Sequence, residues 1–107
     1  MNTVALIGTL IADPELRSDG SGAKSCSMRI ALPRRARGGQ REPGVVYVDV
    51  TTFGLEAIDC AERLRRGNRL GLTGRLEREE YRTPEGGRRV DHAVLVDQLD
   101  LMPASVQ

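Results

Sequence analysis

Tyr47, Phe53 and Tyr81 are the only aromatic side chains in a chain of 107 residues. Tyr47 and Phe53 lie six positions apart in "YVDVTTF", so on a β-strand they project from one face. Tyr81 stands in "EREEYRTPEGGRR", just before a turn. Asp49, Thr51 and Thr52 share the first stretch, and Glu79, Glu80 and Arg82 surround Tyr81. Rings in such company either pack beneath a loop or a neighbouring subunit, or present a flat face to a ligand. The strand pattern leaves both readings open.

The second chemical feature is local positive charge. Between Pro33 and Gly44 the chain carries Arg34, Arg35, Arg37 and Arg41 against Glu42 alone, while the formal net charge of the whole chain is only +1. No global basic charge announces a nucleic-acid partner, so the distribution of charge must speak for itself. Catalytic chemistry has little to work with. His92 is the lone histidine, with no second histidine or nearby cysteine to share a metal and no triad spacing, and it reads as a strand surface residue. Cys26 and Cys60 make neither a zinc set nor a disulfide framework; reduced, packed thiols are the default, with a disulfide still possible. Asp91, Asp97 and Asp100 alternate unevenly along the last stretch and look like solubility. No Gly-rich nucleotide-phosphate loop is present. The expectation is a protein that is not an enzyme and needs no cofactor and no metal.

These residues need elements to hold them. "NTVALIGTLIA" reads as a long first strand with Gly8 where it can bend, and "DPELRSDGSG" as a turn that Asp13 and Pro14 shape. "SCSMRIAL" sets Cys26, Met28, Ile30 and Leu32 on one face and Ser25, Ser27, Arg29 and Ala31 on the other, a half-buried strand. "PRRARGGQREPG" has no apolar period and reads as a loop. In "VVYVDVTTF" the set Val46, Val48, Val50 and Thr52 faces the core, opposite Tyr47, Asp49, Thr51 and Phe53. The period then changes. Ala57, Ile58, Ala61 and Leu64 form a helical stripe that ends in Arg65, Arg66 and Gly67. Leu70, Leu72, Gly74 and Leu76 line one face of the next strand, with Gly71 and Gly74 as barrel bends. "TPEGG" turns the chain into a last strand, "RRVDHAVLVDQLDL". Three strands, a helix and a two-stranded hairpin are the plan of an OB-fold, a five-stranded Greek-key barrel. The domain runs from 1 to 101, and residues 102–107 form a short tail. At 39% hydrophobic and 29% charged residues the chain is ordinary for a soluble domain. No apolar run approaches the length of a membrane span, and the N-terminus lacks the regions of a signal peptide.

In this order the segments resemble a known family, the bacterial single-stranded DNA-binding proteins. "MNTVALIGTLIADPELR" is similar to that family's opening, "FGLEAIDCAERLRRGN" to its helix and following turn, and "GLTGRLEREEYRTPEGG" to its Gly-Arg-Leu segment and aromatic-bearing hairpin. The resemblance implies that Tyr47, Phe53 and Tyr81 are platforms on which bases stack, each worth roughly 1–3 kcal/mol whatever the base. It makes Arg34, Arg35 and Arg37 candidate phosphate contacts, with Arg88 and Arg89 at the hairpin return. Arg75, which shares the parity of Arg69 and, on an unbulged strand, of Tyr81, can set a cation beside a base or phosphate. Arg29, on the polar face of its strand, is as well explained by solvent as by a ligand.

The resemblance further implies a bacterial cytoplasmic, nucleoid-associated protein serving replication, recombination or repair. It also implies a homotetramer of dimers paired through Thr3 to Thr9. The chain departs from the family in having tyrosine where tryptophan is usual, and no aromatic in the basic loop. "MPASVQ" has neither the long linker nor the acidic recruitment tip of the family, which implies a shortened chain or a tailless paralogue. The alternative of another class is a protein-interaction or assembly module on the same barrel, with Tyr47 and Phe53 as the contact patch. RNA binding stands third.

Overall fold

A computed structural model of the chain describes residues 1–34 and 44–103, with the backbone alone described for Glu79, for residues 81 and 82 and for residues 88–90. The elements run β1 (Val4–Leu10), β2 (Glu15–Ser18), β3 (Lys24–Pro33), β4 (Val45–Phe53), α1 (Gly54–Arg63), β5 (Arg69–Arg82) and β6 (Arg88–Leu101). The sheet order is β1-β5-β6-β4-β3-β2, and a further β1–β3 pairing closes five of the strands into a barrel. With the parallel β4–β6 contact at Val50/Val94 and Thr51/Leu95, this is the OB-fold connectivity.

The sixth strand is an addition. β2 lies on the outer side of β3 through Leu16/Cys26 and its neighbours, where the sequence reads as a turn. All four of its residues are exposed, so it leaves no alternating apolar trace. Asp13 does not simply shape that turn: its carboxylate accepts the backbone N–H of Arg66 at 2.7 Å, tying the segment after β1 to the segment after the helix.

Closure depends on β1 changing partners. It pairs with β5 from Val4 to Thr9 and with β3 only through Thr9 and Leu10. Gly8 sits at this changeover, where a Cβ would lie 2.9 Å from both the Ala31 carbonyl oxygen and Leu32 Cδ2. Only a residue without a side chain lets the two strands approach this closely.

The interior is aliphatic. Leu10, Ile30, Val50, Leu70 and Val94 are almost wholly buried, and no aromatic ring is buried among the described residues. Helix α1 covers one end of the barrel through Ala57 and Cys60, and Leu64 at its C-cap continues the same buried stripe. Cys60 thus belongs to the core stripe, while Ile58 is only partly buried. Two positions read as core are not: Val46 is 43% and Leu76 47% exposed. Val46 is the second residue of β4, whereas Leu76 lies mid-strand in β5 opposite Val94.

Candidate nucleic-acid interface

The β3–β4 ladder decides which side chains share the outer face. Its register sets Ser25 opposite Phe53, Ser27 opposite Thr51, Arg29 opposite Asp49 and Ala31 opposite Tyr47. Each ring therefore faces a small residue across the strand, and both stay open: Tyr47 is 53% and Phe53 52% exposed. At about 3.3 Å per residue they stand about 20 Å apart along β4. The face continues sideways onto β6 at Leu95 and then onto β5 at Arg75, which pairs opposite Leu95.

Charges on this face are locally balanced. The Arg29 guanidinium lies over the Tyr47 ring, 5.4 Å from its centroid, and Arg29 Nε is 3.6 Å from Asp49 Oδ1. Arg75 lies between two carboxylates, with Glu77 Oε1 and Asp97 Oδ1 each at 3.4 Å. Exposed pairs of this kind hold their partners weakly and are screened by salt. Net attraction for a polyanion must come from elsewhere. The basic segment leaves the sheet beside Tyr47: Pro33 pairs with Val45, and Arg34 N–H donates to the Gly44 carbonyl at 3.4 Å. Whatever the arginine-rich segment does, its base is two residues from that ring.

Of the other predicted site residues, Arg35 and Arg37 lie outside the described residues. Tyr81, Arg88 and Arg89 are placed by backbone alone, Tyr81 opposite Arg89 near the tip of the β5–β6 hairpin. The register shift between Thr73 and Gly74 takes one extra residue from β6, so β5 keeps its inward and outward alternation through the bulge, from Arg69 to Arg75. Arg29 is the residue that sequence reasoning underused. Its meaning depends on being opposite Asp49 and one pleat from Tyr47, a relation across two strands that no local period reveals.

The outward residues of β1, Ala5, Ile7 and Thr9, line a groove of about 890 Å³ with Leu32, Val45 and Thr73, and Ile7 is 49% exposed. His92 lies with Arg29, Asp49 and Asp91 on a smaller groove of about 360 Å³. Among the described residues no group of three His, Cys, Asp or Glu side chains is placed to hold a metal ion, and no helix is long and apolar enough to cross a membrane.

The geometry is thus a small aliphatic barrel with rings on its outside and an arginine-rich segment rooted beside one of them. A family model for the single-strand binding protein family matches residues 1–102. The chain belongs to this family. Its relatives include single-stranded DNA-binding protein 3 of Clostridium acetobutylicum, 30% identical over 104 residues that cover 95% of this chain and 71% of the relative. The single-stranded DNA-binding protein of Corynebacterium glutamicum is 35% identical over 100 residues, covering 90% of this chain and 44% of the relative. That of Staphylococcus aureus N315 is 29% identical over 102 residues, covering 95% and 65%. The family match runs from before β1 to just past β6, so every residue of the barrel face described above falls inside it.

Proposed function

We propose that this chain binds single-stranded DNA without marked sequence preference and is not an enzyme. It stacks bases on Tyr47, Phe53 and Tyr81 and neutralises phosphates with Arg34, Arg35, Arg37, Arg75, Arg88 and Arg89. One observation carries the reading: in a family of single-strand binders, a barrel with an aliphatic core keeps Tyr47 and Phe53 about half exposed on one face of β4. A ring buried in a core would add apolar burial; on an open face it offers a π-surface to any base. Protection of unpaired strands during replication, recombination or repair in a bacterial cytoplasm is the role this chemistry fits.

The same reading includes self-association, as a dimer or as a tetramer built from dimers. Between Val4 and Gly8, β1 has no ladder partner among the described residues on the side away from β5. An open edge flanked by exposed Ala5 and Ile7 favours pairing with another strand.

Fluorescence titration with oligo-dT, oligo-rU and duplex DNA tests the proposal. Tight binding of oligo-dT with weak binding of duplex is expected. Equal binding of oligo-rU would extend the ligand to RNA. No binding of any of the three would leave the exposed rings as a protein-contact patch.

A further inference from the structure

We propose that Arg29 is a lid on one stacking face of Tyr47, latched by Asp49, and that it must leave the ring before a base can stack there. The inference rests on the stacking reading above. Arg29 and Asp49 are direct cross-strand partners, and Tyr47 follows one pleat further on the same face. Arg29 Cζ is 5.4 Å from the ring centroid. A base inserted between guanidinium and ring needs two van der Waals spacings, about 7 Å, so ring and guanidinium cannot keep this distance and also sandwich a base.

A planar guanidinium covers an aromatic face well, and a carboxylate at 3.6 Å from Nε fixes where its head rests. Neither interaction is strong at a half-exposed site; the Arg29 and Asp49 side chains are 56% and 55% exposed. The lid is therefore displaceable, and its cost is subtracted from whatever the base gains by stacking. Asp49 sets that cost. It holds the cation on the ring without itself touching the base.

Removing Asp49 also removes a negative charge from a DNA-binding face, so the lid has to be separated from simple electrostatics. Asp49→Asn, Arg29→Ala and the double variant are compared with the parent by titration with oligo-dT and with an abasic deoxyribose-phosphate oligomer of equal length. Salt is held at about 0.3 M, where exposed charges are screened within about 6 Å. With Arg29 present, Asp49→Asn should tighten oligo-dT binding about three- to fivefold. In the Arg29→Ala background the same change should give less than about twofold, and the abasic oligomer should show only that smaller gain in both backgrounds. Equal gains in the two backgrounds, or an Arg29-dependent gain that persists on the abasic oligomer, would overturn the lid. A parent that fails to bind oligo-dT would instead refute the DNA-binding reading, and the lid with it.

Discussion

Gly74 lies against the carbonyl oxygen of Leu95: a Cβ built on it would sit 2.2 Å from that oxygen. The cause is a bulge. Thr73 pairs with Gln98 but Gly74 with Val96, so β6 carries one more residue than β5 here, and its backbone is pushed toward the opposite strand. Gly74→Ala should cost about 1–3 kcal/mol of stability, since backbone rather than a movable side chain must give way. At Gly71 an added Cβ would meet Met102 Sδ at 3.5 Å, an ordinary contact. Gly71→Ala should stay within about 0.5 kcal/mol of the parent. Denaturant titration of the two variants separates them, and equal losses would show that the bulge is not the constraint.

This bulge also shows where sequence reading stops. Asp97 and Asp100 seem to alternate unevenly because the extra residue shifts parity between Val96 and Leu99, so both acids remain exposed while both apolar residues stay partly covered. The barrel plan, the helix and the outward aromatics on β4 were legible, because two periods, 2.0 and 3.6, encode them directly. β2 was not, since "ELRS" buries nothing. Gly71 read as a tight bend beside Gly74, yet only a known register tells a crowded glycine from a roomy one. The Arg29–Asp49–Tyr47 cluster was invisible for the same reason: register between distant strands is a property of the closed barrel.

The two thiols give a prediction about pH. Burial pushes the Cys26 thiol up from 9.0 to about 11, and the neighbouring Cys60 adds to this while the Thr52 hydroxyl opposes it. Cys60 is raised as well, again chiefly by burial. Because the folded state holds its thiol protons more tightly, stability should be complete below pH 9 and fall as pH rises toward about 11. At pH 8 neither thiol should react with a maleimide until denaturant is added. Rapid labelling of the native protein would contradict the packing of α1 on the barrel.

Salt dependence tests the arginine-rich segment. Each phosphate contact to a single strand should contribute a slope of about −0.7 in log K against log salt. Replacing Arg34 and Arg35 together by alanine should flatten the slope by about 1.4 while leaving the melting temperature near that of the parent. If the slope is unchanged, the segment beside Tyr47 is not part of the site.

Assembly through β1 is open to a charge test. Ile7 is exposed at the groove along β1, so Ile7→Glu should set like charges against each other wherever two copies of β1 meet. Sedimentation of the parent should show a dimer or tetramer at micromolar concentration, and Ile7→Glu should shift it toward monomer. A parent that sediments only as a monomer would remove β1 pairing from the proposal.

The aromatics give the most direct test of the mechanism, because stacking and packing predict opposite costs. With about half of each ring exposed on an open face, Tyr47→Ala and Phe53→Ala should each weaken oligo-dT binding by roughly 1–3 kcal/mol and change folding stability by much less than that. A ring serving as core would show the reverse, since truncating a buried phenylalanine costs about 3–5 kcal/mol of stability. Tyr81→Ala belongs in the same series, and its binding loss would assign the hairpin to the DNA path. Thermal melts and oligo-dT titrations of the three variants read both quantities on the same molecules. Lower melting temperatures with unaltered affinity per folded molecule would turn the rings from platforms into packing, and the outer face of β4 would then need another ligand.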